Sequence, residues 1–411
     1  MTDLTRTVRR NTLLLAVTTA VTSVVLQLAA AVSSLTFVLV TGERGLLGLG
    51  PAIFLTSSGL TAVVAGRAMD RYGRKPVLAI GFLAIAVGCC LTATATRTLS
   101  VPALLAGFVL IGVGMATSLL IRTAAGDMYP PAHRARGISY VLFGSVVGAI
   151  LGPAVFSPLF AHRKVDPNTL TGPWLAAAAI ALIALAVVMA VRPDTKRIAE
   201  MIGSSEGVAT PLAPAAPLAE ILRRPGILPA MIGSLASFGV MVSVMNLVGY
   251  VVVEEHHHPQ SDVFPIVGAH VLGMYALVLV VGALIDRVGR VPALVSGLIV
   301  MGASTLGLQF WASVPMTALL LFGLGIGWNI SFVAATAQLA DATSAIERGK
   351  LLGFNDLMAS LLGATLALVG GYGLHTTGVG ALAIGAAVIV ASPAAWILWL
   401  TPGPPEPEGS A

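Results

Sequence analysis

The stretch Gly66-Arg67-Ala68-Met69-Asp70-Arg71-Tyr72-Gly73-Arg74-Lys75-Pro76 returns 216 residues later as Gly282-Ala283-Leu284-Ile285-Asp286-Arg287-Val288-Gly289-Arg290-Val291-Pro292. Each copy follows one apolar run and precedes another. A second echo pairs Arg136-Gly137 with Arg348-Gly349. The offset is about half of the 411 residues, so the chain reads as a duplication. A first half covers 1–191, a linker rich in Pro, Ala and charge covers 192–226, and a second half covers 227–411. In each copy a glycine (Gly73, Gly289) permits a tight turn. The preceding aspartate can sit at a helix N-terminus or pair with an arginine such as Arg122.

Composition says what the halves are made of. The chain is 56% hydrophobic and 10% charged, against about 25% charged for soluble domains. A helix that crosses a bilayer needs roughly 20 mostly apolar residues. Twelve segments qualify: about 12–38, 46–66, 77–96, 101–121, 138–160, 174–191, 227–253, 263–285, 292–311, 315–339, 351–373 and 379–400. They are too long for membrane strands, so the expectation is an all-α membrane protein. With the N-terminus in the cytoplasm, nineteen of the 23 Lys and Arg fall in cytoplasmic connections, leaving Arg44, Arg97, Arg163 and Lys164 outside. That asymmetry puts both termini inside. It also accounts for the net charge of +5 without a nucleic-acid partner. The first apolar stretch is too long for a cleavable signal and lacks a small-residue cleavage site. Cys89 and Cys90 are adjacent, a spacing that suits neither a disulfide nor zinc.

The repeated stretch resembles the signature loop of the major facilitator superfamily, G-x-x-x-D-R-x-G-R-[RK]. The resemblance extends over essentially the whole chain. Gly66, Asp70, Arg71, Gly73, Arg74 and Lys75 match in full; Asp286, Arg287, Gly289 and Arg290 match the second copy, with Val291 replacing its last basic residue. It implies twelve helices in two six-helix halves, with Asp70 and Asp286 latching the halves on the cytoplasmic side when the carrier opens outward. Gly144, Gly148, Gly152 and Pro153 resemble the family's antiporter motif, which here runs into Ala154-Val155-Phe156 instead of a Gly pair. Close helix packing explains those glycines as well.

Two further pairs bear on cargo. Met241 and Met245, and His270 with Met274, are each spaced i, i+4 and so share a helix face. If the segments meet water near Val253 and Val263, Met245 and His270 lie roughly 12 and 10 Å deep, and Met241 and Met274 roughly 18 and 16 Å. Thioethers and an imidazole at matched depth are soft ligands that favour Cu(I). Methionine is equally a filler of apolar cores, whereas an intramembrane histidine usually marks a pathway. The two pairs resemble the motifs of the CcoA-like copper importers. By that resemblance Met241, Met245, His270 and Met274 are the copper ligands.

His256, His257 and His258, beside Glu254 and Glu255, form an expected outer capture cluster or simply a polar end to the helix. Asp356, the only acid well inside an apolar segment, reads either as a proton-coupling carboxylate or as a helix-terminal acid paired with a loop arginine. Nothing resembles a nucleophile–base set or a cofactor site, so neither an enzyme nor a bound cofactor is expected; copper is cargo. The expectation is an inner-membrane bacterial carrier of copper, monomeric, with lipid and a small solute as its partners. The alternative cargo is an organic solute, a drug exported or a riboflavin-type vitamin imported, held in a pocket of Trp328, Phe332, Phe238, Phe264 and the methionines. A metal-sensing receptor would need a signalling domain, for which the linker and the tail from Thr401 are too short.

Overall fold

The computed structural model describes residues 2–130, 134–161, 165–205, 216–343 and 345–400. Arg163, Lys164, the tail from Thr401 and the side chains of Asp70, Arg134 and Arg348 lie outside the described set. Every regular element among the described residues is helical. Eleven helices are long and apolar enough to cross a bilayer: spans 1 (Leu4–Thr41), 2 (Arg44–Met69), 3 (Arg74–Thr98), 4 (Val101–Gly126), 5 (Arg136–Phe160) and 6 (Pro167–Met189), then 7 (Ile227–Glu255), 9 (Arg290–Gly307), 10 (Val314–Asp341), 11 (Lys350–Thr377) and 12 (Val379–Leu400). Span 8 is a broken pair, Gln260–Tyr275 followed by Val280–Val288.

Several boundaries differ from the sequence reading, among them the start of span 6 at Pro167 in place of 174, and three of the differences have a local cause. The first helix begins at Thr2, well before residue 12, because its polar opening turns carry on the same helical ladder. Span 8 is not continuous over 263–285. The Asn329 side chain of span 10 donates to the Met274 carbonyl, and such an intrusion into the ladder breaks a helix. Span 9 stops at Gly307, where Gln309 and Phe310 turn back on Leu306 and Gly307. Gln309 therefore lies in a connection and not inside the apolar segment.

Small residues set the packing within each half. Spans 3 and 4 meet where Gly88 lies against the Gly107 carbonyl, and spans 9 and 10 where Gly297 lies against that of Gly327. Backbones that touch in this way gain dispersion contacts that lipid does not compete for. Gly144, Gly148 and Gly152 of span 5 meet Ala16, Ala20 and Gln27 of span 1, and Gln27 Nε2 donates to the Gly148 carbonyl at 2.7 Å. Outward faces carry large apolar side chains such as Leu60, Val64, Ile80, Ile150 and Val369, the surface a lipid environment requires. Cys89 is buried, Cys90 exposed, and neither is bridged.

In the linker, Thr195–Ser205 and Leu218–Leu222 are helical. Arg224 closes its end on the start of the span 11 helix with a two-pronged contact to Glu347 at 2.8 and 2.9 Å. Both signature loops lie on the face that carries the linker, called the motif face below.

Candidate functional site

The two copies of the signature loop adopt one backbone. Gly73 sits at φ 101°, ψ 168° and Gly289 at φ 95°, ψ 156°, a left-handed geometry open to glycine. Each loop is tied within its own half. Arg74 donates to Asp127 at 2.6 Å and to the Met69 carbonyl at 2.8 Å. Arg290 pairs with Asp286 and, at 3.2 Å, with Asp341. Asp286 is thus held by its own half, and the Asp70 side chain lies outside the described residues. A Cβ added at Gly66 or Gly282 would meet nothing within 4 Å.

The opposite face is where the halves close on each other. Gly249 of span 7 abuts the Ala31 carbonyl of span 1, and Gly48 beside span 2 abuts that of Ala367 in span 11. Between spans 5 and 8, Phe264 stacks on Phe156 at 5.6 Å and against Phe160 at 5.3 Å. Hydrogen bonds follow the same seam. Ser34 donates to the Asn246 carbonyl at 3.0 Å, Ser157 to that of Ser261 at 2.8 Å, and Gln260 to that of Ala31 at 3.2 Å. Arg44 and Glu254 add an ion pair at 3.8 Å. Phe264 therefore belongs to this seam and not to the pocket that the sequence grouped it with.

Halfway between the faces lies a row of aromatic rings from three spans of the second half. Trp328 stacks on Phe332 at 5.1 Å and 16°, Phe238 of span 7 meets Phe332 at 6.0 Å, and Tyr275 of span 8 meets Trp328 edge-on at 6.3 Å. Phe332, Phe238 and Tyr275 are each partly exposed. Trp328 Nε1 is a buried donor without a partner among the described residues. From the first half, Arg122 pairs with Asp356 at 2.9 Å. The arrangement offers flat apolar faces, an unspent N–H and a pair of opposite charges.

The methionine and histidine pairs are placed differently from one another. Met241 and Met274 are buried, Met245 is half-buried, and His270 is fully buried. Span 8 packs chiefly against spans 10 and 5, and only lightly against span 7. His270 Nδ1 lies 2.8 Å from the Leu321 carbonyl of span 10, an acceptor, so Nδ1 carries the proton and Nε2 keeps its lone pair. Nε2 is buried and has no partner among the described residues.

The outer histidines diverge. His257 takes a left-handed φ of 56° and is exposed. His258 Nε2 contacts the Ala312 carbonyl at 2.8 Å, and its ring meets His256 edge-on at 6.4 Å. Among the described residues no three His, Cys, Asp or Glu side chains come together as a metal site.

Sequence reasoning missed two residues. Asp194 in the linker accepts from the Arg74 and Lys75 amides at 3.1 and 2.9 Å, capping span 3 from 120 and 119 positions away. It also accepts from Lys196 N at 2.9 Å, and that local N-cap pattern was the one signal available. Tyr275 follows Met274 in the apolar run, and nothing in the local sequence marks its ring as facing Trp328.

A family model described as Major Facilitator Superfamily matches residues 11–269 and 252–411. The uncharacterized MFS-type transporter YdeG of Bacillus subtilis (strain 168) is 30% identical over 328 residues, 79% of this chain and 76% of that protein. The riboflavin transporter RfnT of Brucella anthropi is 27% identical over 387 residues, 92% of each chain. Among solved structures, the xylose transporter XylE from E. coli, in a partially occluded inward open conformation, aligns with a TM-score of 0.73. Its identity is 14%, over 96% of this chain and 98% of that one.

Proposed function

The chain belongs to the major facilitator superfamily and is a multi-pass membrane transporter, and from that premise we propose that its cargo is a small planar organic solute of the riboflavin type. The observation that carries this reading is the aromatic row Phe238–Phe332–Trp328–Tyr275 at mid-depth. Such folds bind cargo between their halves near the midplane. Stacked rings offer a flat solute contact area in a geometry that aromatics favour, and the free Trp328 N–H supplies a directional contact. The relative RfnT, described as a riboflavin transporter, supports the same class. The asymmetry of Lys and Arg supports a motif face in the cytoplasm, and the relatives from Bacillus and Brucella support a bacterial cell-membrane setting. In that frame the sealed face is the outer one.

The test is uptake of labelled riboflavin by proteoliposomes. Replacing Trp328 with Leu should cut uptake about tenfold, as the loss of stacking and of one hydrogen bond implies. Uptake equal to that of the parent would overturn the reading.

Copper is the second reading, and one observation favours it. His270 holds its Nδ1 proton against a backbone carbonyl and leaves Nε2 bare, the tautomer a metal-ligating histidine adopts. Replacing Met241 and Met245 together with Leu keeps volume and apolarity, a swap that usually costs less than about 1.5 kcal/mol. The double variant should carry riboflavin as the parent does. Riboflavin transport absent from the parent, with copper uptake present and lost on Met-to-Leu replacement, would establish the metal reading instead.

A further inference from the structure

A cavity of about 300 Å³ opens on the sealed face, entirely within the second half. Three connections build it: the end of span 7, the turn between spans 9 and 10, and the turn between spans 11 and 12. His256, Gln309, Phe310, Trp311, Thr377 and Gly380 line it. None of its lining residues makes the seam contacts named above or belongs to the aromatic row at mid-depth.

The walls are fixed by local chemistry. Span 7 ends in a widened turn in which the His256 amide bonds to the Val251 carbonyl at 2.9 Å. His257 then takes its left-handed conformation, costly for a residue with a Cβ. That turn leaves His256 in the wall and sends His258 to the Ala312 carbonyl, stapling the span 9–10 turn to the end of span 7. Gln309 lies so close over Gly380 that a Cβ there would meet its Oε1 at 2.7 Å. Phe310 and Trp311 stand edge-on at 6.0 Å, and both are exposed.

The lining contains no Lys, Arg, Asp or Glu. Its one titratable group, His256, is pushed below its ordinary value by burial and by His258, so it is uncharged at neutral pH. An ion finds no counter-charge here, and one imidazole is too few ligands to hold a metal. What remains is an indole and a phenyl ring for a flat face, with an amide and a hydroxyl for its edge. The volume is at the small end of those that hold organic ligands.

We propose that this cavity is a second binding site, on the outer side, for an uncharged planar solute with hydrogen-bonding edges. The proposal rests on the reading of the cargo as a planar organic molecule, and it assigns the cavity to that molecule while the outer face is sealed. Two of its walls belong to turns that bound spans 10 and 11, so an occupant touches both.

Riboflavin binding to the purified full-length protein, followed by quenching of flavin fluorescence, tests it. The parent should bind two equivalents. Trp311→Ala removes an exposed ring, and Gly380→Ala drives the flexible Gln309 amide into the cavity. Either should abolish one equivalent or weaken it at least about tenfold while leaving the other intact. Trp328→Leu should remove the remaining equivalent only. A single equivalent, lost with Trp328→Leu and indifferent to Trp311→Ala and Gly380→Ala, overturns the outer site and spares the cargo reading. An equivalent lost with Trp311→Ala alone, and none sensitive to Trp328→Leu, supports the outer site and overturns the cargo reading. No binding to the parent overturns both. A cavity filled by lipid, seen as flavin binding in detergent that phospholipid nanodiscs abolish at the Trp311 site alone, overturns the outer site and spares the cargo reading.

Discussion

Arg122 of span 4 and Asp356 of span 11 form an ion pair at 2.9 Å that ties the two halves together on the motif side, opposite the seam. Their side chains are 39% and 36% exposed. A pair so accessible to solvent contributes about 0–1 kcal/mol to stability, so its placement between halves matters more than its strength. Asp356→Asn should leave thermal stability within about 1 kcal/mol of the parent. It should abolish accumulation driven by a pH gradient while sparing counterflow of cargo between equal compartments. A variant that accumulates cargo like the parent would remove Asp356 from proton coupling.

The seam on the other face depends on backbone contact. A Cβ at Gly249 would strike the Ala31 carbonyl, and backbone cannot step aside as a flexible side chain does. Gly249→Ala should cost about 1–3 kcal/mol in the sealed state and shift the protein toward opening on that face. A cysteine placed at Ser34, on the seam, should then react faster with a membrane-impermeant maleimide. An unchanged rate would show that the contact at Gly249 does not hold the seam.

Asp194 is a helix cap supplied from across the half. Its carboxylate accepts from two amides at the start of span 3, and loss of such a cap typically costs 0.5 to about 2 kcal/mol. Asp194→Ala should lower stability by about that much, and Asp194→Asn by less, because the amide oxygen still accepts. Denaturation of both variants in detergent, with the parent alongside, measures the difference. Equal losses would mean that charge, and not capping, is the larger contribution.

Burial, reinforced by His258, pushes His256 below its ordinary value of 6.5, while Glu255 acts against the shift and His257 with it. The folded chain therefore takes up this proton less readily than the unfolded one. The stabilisation linked to the neutral ring is complete above about pH 6.5, declines as pH falls through that value, and stops declining below the depressed one. Thermal unfolding of the parent should drop more between pH 7.5 and 5.5 than that of His256→Gln, which has nothing to titrate there. Parallel curves would refute the linkage.

The fold was legible because a duplicated turn and runs of apolar length leave few architectures open. Gly73 and Gly289 could be found by eye, and their matched backbone angles follow from what glycine alone tolerates. The break in span 8 was not legible. It comes from Asn329, 55 positions away, and no local pattern in 263–285 announces it. The candidate site was read in part. Trp328, Phe332 and Phe238 were named as a group, and their stacking accords with it, but Phe264 went to the seam and Tyr275 was passed over. Periodicity gives the face of one helix and not the neighbour that face meets. For the same reason the depth match of His270 with Met245 did not reveal that the imidazole bonds to span 10.

The repeated corner is one shape used twice under unequal restraint. At Gly73 the carboxylate of Asp194 lies against the turn and grips the next two amides. At Gly289 the nearest atom to an added Cβ is Cδ of Pro292, three positions along the same chain. The linker therefore grips the first corner through Asp194, while its far end is held in the second half by Arg224 and Glu347. Tension on it, whether from a bound protein or from the chain's own motion, reaches span 3 directly. Of the two like-shaped corners, the first is the one that serves as a handle.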